Sequence, residues 1–503
     1  MAAVTPPPPA DLEARLERGL KTAGLLGGPL VALVVYAWNP GGHPAEARRL
    51  LAILALAIAW WITEAIPLPA TALFASALAI ATGVAPARQV LAPYADPVIF
   101  LFLGSFLLAE AVSRYGLDTR LASTLLGSRL FPPTPAGRMA AFGTAAAAVS
   151  TCLSNTATAA LMTPIALGSM GEKTEGPVRR TDSGVLLMIA YGASVGGMAT
   201  LIGTPPNLLV AGFLERLAGV RVTFLGWMAF AAPIALALLA ISLVLTRLTL
   251  GRGLAGERLG AVSSVETLSG DSASERHAGA RWTILAFGLA FALWLAPSLA
   301  QGALGREHPL AVALGKHLPE AGVALLCAML LFVAPVSWRK RRFVLSWDDG
   351  QRVNWGVLML FGGGLSLGTL GETTGIAKWA GEGVVRAGLA ASPEGFLFVC
   401  VLSAIVVSEF ASNTASATLI VPIVIAAAKQ AGFDPVAPAL GAGLAATCGF
   451  IFPVSTPPNA IVFGTGRVPL TRMIRAGALL DLACLVVVWS GVMLLRPWLP
   501  HAG

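Results

Sequence analysis

The polar tripeptide Ser-Asn-Thr occurs twice in a chain that is otherwise rich in Ala, Leu, Val and Gly. It stands in LSNTATAALMTPI (Leu153–Ile165) and again in ASNTASATLIVPI (Ala411–Ile423). A second pair of motifs, GTPPN (Gly203–Asn207) and STPPN (Ser455–Asn459), follows these copies. Hydroxyl and amide groups are neutral donors and acceptors, so they suit both an anion and a hard cation. The four motifs therefore predict a binding site for small ions.

The double prolines predict a break in each helix that carries them, because two prolines remove two backbone donors and clash with the preceding turn. A break leaves free N–H groups with partial positive charge at one half-helix end and free carbonyls at the other. The repeat extends upstream, where Phe102–Leu117 aligns with Phe361–Ile376 when Gly104 is set on Gly363 and Gly116 on Gly375. Paired interruptions in two halves of a chain point to the binding site of a transporter.

The amino-acid composition indicates whether these motifs lie in water or in a membrane. The chain has 503 residues, of which 56% are hydrophobic and 12% are charged, and its mean hydropathy is +0.76. Soluble domains carry roughly a quarter charged residues. The sequence predicts an all-α polytopic membrane protein with about 11 transmembrane helices, two re-entrant hairpins and an inverted-topology repeat. The predicted spans are 22–38, 50–63, 66–84, 97–113, 184–212, 223–246, 282–300, 319–337, 353–371, 439–463 and 476–495.

Basic residues predict the orientation. SWRKRR (Ser337–Arg342) and the arginines of the 247–281 loop place both ends of the 282–337 helix pair in the cytoplasm. The N-terminus is then cytoplasmic and the C-terminus lies outside. The same count lets the hairpins 138–168 and 394–428 enter from opposite faces. Their Ser-Asn-Thr tips are expected to meet near the middle of the bilayer.

Several other classes of protein are disfavoured. The net charge of +8 is distributed over loops, and no segment combines clustered Lys and Arg with aromatic residues as a nucleic-acid surface would. The five cysteines are isolated and the five histidines fall in predicted loops or tails. No HExxH motif and no paired catalytic aspartates occur. An intramembrane enzyme is therefore the weakest hypothesis.

The four motifs contain neither Lys nor Arg, yet an anion at the bilayer centre loses much of its hydration, and an unpaired buried ion costs several kcal/mol. A co-bound cation would supply the missing charge. Oxygen ligands suit a hard cation, so transport of an anion coupled to sodium is the simplest hypothesis. Glu409, an intramembrane carboxylate beside the second tripeptide, has two interpretations: a functional group, or a structural hydrogen bond that ties the hairpin to a neighbour.

The motif pairs, together with WWITEAIPLPATAL (Trp60–Leu73) and NWGVLMLFGGGL (Asn354–Leu365), resemble the divalent anion/sodium symporter family of dicarboxylate, tricarboxylate and sulfate transporters. The resemblance covers the chain from about Trp60 to its end. It implies a homodimer with a scaffold domain and an elevator-like transport domain. The implied division is a cytoplasmic N-terminal tail (1–21), scaffold parts (22–128 and 282–371), transport parts (138–246 and 394–496) and a cytoplasmic linker (247–281).

The resemblance also implies site residues. Two sodium sites, the minimum expected, would use side chains and backbone carbonyls of Ser150, Ser154, Asn155 and Gly203 in the first half, and of Ser408, Ala411, Asn413 and Ser455 in the second. The substrate would meet Ser154, Asn155, Thr156, Thr204, Pro205, Ser412, Asn413, Thr414, Thr456 and Pro457. No organic cofactor is implied.

Two transport hypotheses remain at this stage. The first is sodium-coupled import of a small dianion, with succinate or a similar C4-dicarboxylate as the expected substrate, at the inner membrane of a bacterium. The second is exchange without sodium, or proton coupling, on the same fold. The sequence leaves open which dianion is carried and how many sodium ions accompany it.

Overall fold

The computed structural model describes residues 9–39, 42–170, 178–250, 273–305, 307–496 and 499. Almost all of this part of the chain is helical, as the composition predicts. Besides turns and loops, the described residues contain a short antiparallel ribbon of β1 (Pro335–Ser337) and β2 (Arg342–Phe343). The predicted span 319–337 therefore ends as a strand, and its helix stops at Val333.

The helices of the first half run from the N-terminus to the region before the linker. They are α1 (Pro9–Trp38), α2 (Ala45–Thr63), α3 (Leu68–Ala81), α4 (Ala87–Leu91), α5 (Pro97–Arg114), α6 (Leu117–Leu126), α7 (Pro135–Ser150), α8 (Asn155–Met170), α9 (Arg180–Met198), α10 (Pro205–Ala218) and α11 (Phe224–Leu250).

The helices of the second half follow the linker. They are α12 (Ala273–Leu304), α13 (Pro309–His317), α14 (Glu320–Val333), α15 (Trp347–Gln351), α16 (Trp355–Thr373), α17 (Ile376–Arg386), α18 (Pro393–Phe410), α19 (Asn413–Gln430), α20 (Val436–Ala445), α21 (Pro457–Gly464) and α22 (Leu470–Leu495).

Two predicted boundaries differ from the structure. Helix α1 begins at Pro9, so residues 9–21 are helical where a tail is predicted. Helix α11 continues to Leu250 and α12 begins at Ala273, so both ends of the predicted linker are helical. Residues 251–272, the polar centre of that linker, lie outside the described residues.

Within the described residues, six helical segments are long and apolar enough to cross a membrane, or seven if the bent pair α13–α14 forms one span. One of the six is α18, the first arm of the predicted second hairpin. Of the predicted spans outside this set, α2 and α16 have 19 residues each, and the others are shorter or interrupted. Helix α3 has 14 residues, and the predicted spans 184–212 and 439–463 are each divided into two half-helices. Both divisions occur where the double prolines predict them.

The internal repeat is visible in the backbone. Helices α5 and α6 are joined at Gly116 with φ +64°, and helices α16 and α17 are joined at Gly375 with φ +82°. Both glycines adopt the left-handed conformation that a residue with a Cβ rarely takes. The sequence alignment of Gly116 with Gly375 is thus reproduced by equivalent turns at equivalent places.

Helix contacts follow the same repeat. Helix α3 packs against α16, and α14, which occupies the corresponding place in the second half, packs against α5. A methyl group at Gly104 would collide with Ala324 of α14, and one at Gly363 would collide with Ala72 of α3. Small residues permit this close approach of helix backbones. In each contact a helix of one half packs against the glycine-containing helix of the other half. This arrangement is expected of two halves related by a pseudo-two-fold axis.

Candidate binding site at the two hairpin tips

The first hairpin tip lies between α7 and α8, in the turn at residues 151–154. The hydroxyl of Ser150 donates to Oδ1 of Asn155 over 2.9 Å. The hydroxyl of Ser154 accepts the backbone N–H of Ala157 over 3.3 Å and caps α8. Nδ2 of Asn155 lies 3.4 Å from the hydroxyl oxygen of Thr204, at the end of the first helix break. The first Ser-Asn-Thr motif is therefore bonded to the first double-proline motif.

The second tip, between α18 and α19, repeats this arrangement. The hydroxyl of Ser408 lies 3.1 Å from Oδ1 of Asn413 and 2.7 Å from the carbonyl oxygen of Ala446. The hydroxyl of Ser412 accepts the backbone N–H of Ala415 over 3.3 Å and caps α19. The predicted hairpins are thus present as pairs of helices whose tips carry equivalent hydrogen bonds.

The helix breaks begin before the prolines. Helix α9 ends at Met198 and α10 begins at Pro205, while α20 ends at Ala445 and α21 begins at Pro457. Each proline pair occupies the first two helical positions, where a missing N–H costs little because that group has no intrahelical partner. Each break therefore presents the N-terminus of a half-helix immediately after a buried threonine, Thr204 or Thr456.

The asparagines that end the double-proline motifs hold the breaks together, a role that the sequence analysis missed. Nδ2 of Asn207 donates to the carbonyls of Gly197, over 2.9 Å, and Thr200, over 2.7 Å. Nδ2 of Asn459 donates to the carbonyls of Gly449 and Phe452, over 3.0 Å in each case. The signal was present, since both copies of the motif end in Asn after the prolines.

Oxygen atoms converge on a glycine in each half. A methyl group at Gly197 would overlap Oδ1 of Asn155 and lie 3.2 Å from the carbonyl oxygen of Gly203. A methyl group at Gly449 would lie 3.0 Å from the carbonyl oxygen of Ser408 and 3.2 Å from its hydroxyl oxygen. These carbonyl, amide and hydroxyl oxygens are the ligands that a hard cation prefers. The predicted cation ligands Ser150, Asn155 and Gly203 in the first half and Ser408, Asn413 and Ser455 in the second therefore lie close to these two points.

Glu409 distinguishes the second half from the first. Its Oε1 accepts the backbone N–H groups of Phe450 over 2.7 Å and Ile451 over 3.1 Å. The hydroxyl of Ser455 lies 2.7 Å from its Oε2. The structural interpretation of Glu409 is confirmed to this extent: its side chain ties the second hairpin to the second break. Thr151 occupies the position of Glu409 in the first repeat, so the first half has no such carboxylate.

The remaining predicted residues differ in exposure. Ser154 and Thr156 are exposed at the first tip, whereas Ser412 and Thr414 are half-buried at the second. Pro457 is exposed and Pro205 is half-buried, while Ala411 is buried. In the described part of the chain no hydrogen bond joins the two tips. Thr156, which is exposed, and Nδ2 of Asn413, whose Oδ1 is bonded to Ser408, thus remain available to a ligand.

Packing across the halves brings the four motifs into one body. Helix α10, which follows the first break, packs against α19 of the second hairpin, and α21, which follows the second break, packs against α8 of the first hairpin. Neither Lys nor Arg makes a hydrogen bond or ion pair with a predicted site residue in the described ranges. The described residues also contain no group of three or more His, Cys, Asp or Glu that could hold a metal ion. The site therefore offers neutral dipoles and oxygen ligands.

A crevice of about 420 Å³ lies behind the first tip and differs from this site in character. Its walls include Thr151 and Cys152 of the tip and Phe287 and Phe291 of α12. The lining is almost entirely apolar, so it suits hydrocarbon rather than an anion. The polar groups that could bind ions are those of the tips and breaks.

The sequence of this chain is similar to those of known membrane transporters. Residues 28–499 match the family described as "sodium:sulfate symporter transmembrane region". The sodium-dependent dicarboxylate transporter SdcS of Staphylococcus saprophyticus is 31% identical over 501 residues, which cover 94% of this chain and 91% of that protein. An uncharacterized transporter of Haemophilus influenzae is 34% identical over 455 residues, covering 88% and 90%.

Among solved structures, the YdaH transporter of Alcanivorax borkumensis has a similar fold. Its TM-score against this chain is 0.54 at 17% sequence identity, and the alignment covers 81% of this chain and 86% of that one. At this identity the likeness concerns the fold alone.

Proposed function

Because the chain belongs to the sodium:sulfate symporter transmembrane region family, we propose that it imports a small divalent anion together with sodium. It is a membrane transport protein and not an enzyme. The proposed substrate is a C4-dicarboxylate such as succinate. The observation that carries the proposal is the pairing of each Ser-Asn-Thr tip with a double-proline break, repeated in both halves.

The anion would bind between the two tips. A C4-dicarboxylate has a carboxylate at each end, and each half of the protein offers amide and hydroxyl donors beside the N-terminus of a half-helix. One carboxylate would meet Ser154, Asn155 and Thr156 with Thr204 and Pro205, and the other Ser412, Asn413 and Thr414 with Thr456 and Pro457. Helix N-termini stabilise bound anions through their free N–H groups and partial positive charge.

The sodium ions would bind where the oxygens converge. We assign the first ion to Ser150, Ser154, Asn155 and Gly203, and the second to Ser408, Ala411, Asn413 and Ser455. Support comes from the convergence of oxygens around Gly197 and Gly449. Two sodium ions would balance the two charges of the substrate, so the loaded site would need no Lys or Arg. The relative SdcS of Staphylococcus saprophyticus is named as a sodium-dependent dicarboxylate transporter.

Transport would follow an elevator mechanism in a homodimer of the bacterial inner membrane. The parts 138–246 and 394–496 would carry the substrate across, while 22–128 and 282–371 would form the scaffold. The N-terminus would be cytoplasmic and the C-terminus outside. The mutual packing of each half-helix on the other half's hairpin supports a transport domain that moves as one unit.

The test is uptake of labelled succinate by proteoliposomes, with an inward sodium gradient or with choline in place of sodium. We expect uptake to require sodium and to fall when Asn155 or Asn413 is changed to Ala. Asn354→Ala is the matched control, because Asn354 caps α16 through the N–H of Val357 and lies outside the site. Equal uptake in choline, increased by succinate inside the vesicles, would replace this proposal with the sodium-independent exchanger.

A further inference from the structure

Three ion pairs connect the proposed transport parts with the proposed scaffold. In each pair the base belongs to a transport part, and the acid belongs to a scaffold part or to the last turn of the scaffold helix α16. The pairs are Arg216–Asp96, Arg221–Glu320 and Lys429–Glu372. An elevator movement displaces the transport parts relative to the scaffold. These contacts therefore lie where the proposed movement must break them.

Arg216, in the last turn of α10, contacts both halves of the scaffold. Its Nη1 lies 3.2 Å from Oδ2 of Asp96, and its Nε donates to the hydroxyl of Thr369 in α16 over 2.9 Å. The carboxylate of Asp96 is held in place, because it also accepts the N–H of Val98 over 3.0 Å and caps α5. A helix N-terminus favours a negative charge at this position. One arginine of the transport part thus bridges two scaffold helices.

Lys429 ties the base-carrying helix ends to each other. It lies in the last turn of α19, and its Nζ donates to the carbonyl oxygen of Leu217 at the end of α10. The same Nζ lies 3.4 Å from Oε1 of Glu372. Both Lys429 and Arg216 occupy the C-terminal turn of a helix, where the helix dipole favours a positive charge. The ends of α10 and α19 therefore present their bases to the scaffold as one unit.

All three pairs lie at the predicted outer face of the membrane. In the predicted orientation, α5 and α14 begin at that face, and α10, α16 and α19 end there. The opposite face is different. Helix α21 is the counterpart of α10 in the second half, and Arg467, which follows it, has its Nη1 3.3 Å from Oδ2 of Asp182. Both residues of that pair belong to transport parts, so it moves with them and does not connect them to the scaffold.

We propose that Arg216–Asp96, Arg221–Glu320 and Lys429–Glu372 form an ionic latch, which stabilises the conformation of this structure and opens in every transport cycle. The proposal rests on the proposed function, since an elevator movement is what opens the latch. Because the bases are partly exposed, each pair alone contributes little. Three pairs that break together add their effects, and a moderate bias is enough to shift an equilibrium between two conformations of similar energy. Such a latch favours one conformation without locking it.

The first test fixes one pair covalently. In the double variant Glu372→Cys/Lys429→Cys, a bifunctional methanethiosulfonate reagent with a short spacer should link the two thiols and abolish succinate uptake, and a reductant should restore it. The matched control is Glu394→Cys/Arg496→Cys, which replaces an ion pair of 3.9 Å at the same predicted face. Both residues of the control belong to one transport part, so its cross-link should leave uptake unchanged. Uptake that continues in the first linked variant, or an equal loss in both, would overturn the proposal.

The second test asks whether charge stabilises this conformation. The rate of cross-linking between the cysteines at 372 and 429 reports how often the latch is closed. Reversing one charge, by Arg221→Glu or by Glu320→Arg, should lower that rate about threefold to tenfold. Combining both reversals restores an ion pair and should return the rate to within about twofold of its original value. A merely structural role would not be restored by the exchange, so a double reversal as slow as the single ones would refute the latch.

Two further comparisons keep the tests decisive. If a single charge reversal does not fold, Arg221→Gln removes the charge without reversing it and should lower the cross-linking rate by about twofold; an unchanged rate would count against the latch. Failure of the proposed function has a different signature. It would be absence of sodium-dependent uptake in the wild type, whereas a cross-linking rate that ignores the charges counts against the latch alone.

Discussion

Replacing Gly197 by Ala tests the proposed first cation site with a single methyl group. Gly197 lies in α9 with ordinary helical geometry, so Ala is favoured there by helix propensity, by about 1 kcal/mol. The new methyl group would, however, overlap Oδ1 of Asn155 and lie 3.2 Å from the carbonyl oxygen of Gly203. The substitution should therefore disturb the site while leaving the helix intact.

The size of the effect follows from the contacts that must change. The Asn155 amide has to move by on the order of 1 Å to restore van der Waals contact. That movement breaks its 2.9 Å hydrogen bond with Ser150 and withdraws one oxygen ligand. A hydrogen bond of this kind contributes about 1 kcal/mol, and an interaction with an ion contributes about 1.5–3 kcal/mol. Since 1.4 kcal/mol corresponds to a factor of ten, sodium affinity should fall roughly 10- to 100-fold.

The assay is succinate uptake by proteoliposomes over a range of external sodium concentrations. Gly197→Ala should shift sodium activation to higher concentrations, whereas thermal stability in sodium-free buffer should not fall. Gly168→Ala is the control, because Gly168 lies in α8 of the first hairpin and a methyl group there meets nothing within 4 Å. Sodium activation that is unchanged in Gly197→Ala would refute the placement of the first cation beside Asn155 and Gly203.

Further predictions concern the two breaks and the effect of sodium on stability. Asn207→Ala and Asn459→Ala each remove the donor of two hydrogen bonds to backbone carbonyls, so each should reduce the free energy of unfolding by about 1–3 kcal/mol; a melting temperature equal to that of the wild type would contradict this role. Sodium at about 100 times its dissociation constant should stabilise the purified protein by about 2.7 kcal/mol, measured as a rise in melting temperature over choline. That rise should be lost when Asn155 and Asn413 are both replaced by Ala, and its persistence there would move the sodium sites elsewhere.

The sequence predicted the features that depend on local backbone chemistry. Proline pairs cannot continue a helix, so the breaks before Pro205 and Pro457 could be anticipated. The residues at which the breaks start could not be anticipated, because helices α9 and α20 end several residues before the prolines. Near those ends, Asn207 and Asn459 donate hydrogen bonds to backbone carbonyls. Those hydrogen bonds depend on how the chain folds back after the prolines, which no periodicity records.

The short helices, and the contacts between side chains far apart in the sequence, could not be predicted from the sequence either. Helices α6 and α17 have 10 and 11 residues, too few for a hydropathy argument built on spans of about 20 residues. Glu409 could be recognised as an intramembrane acid, but Phe450, Ile451 and Ser455 could not be recognised as its partners. Those hydrogen bonds join the second hairpin to a break that lies far along the chain.

The cross-packing of the halves limits how the proposed sites can move. Helix α10 packs on α19, and α21 packs on α8, so each hairpin is held by the break of the opposite half. A hairpin that moved alone would lose this packing and expose the polar tip and break residues to lipid, where unsatisfied backbone groups cost several kcal/mol each. Moving all four motifs together avoids that cost.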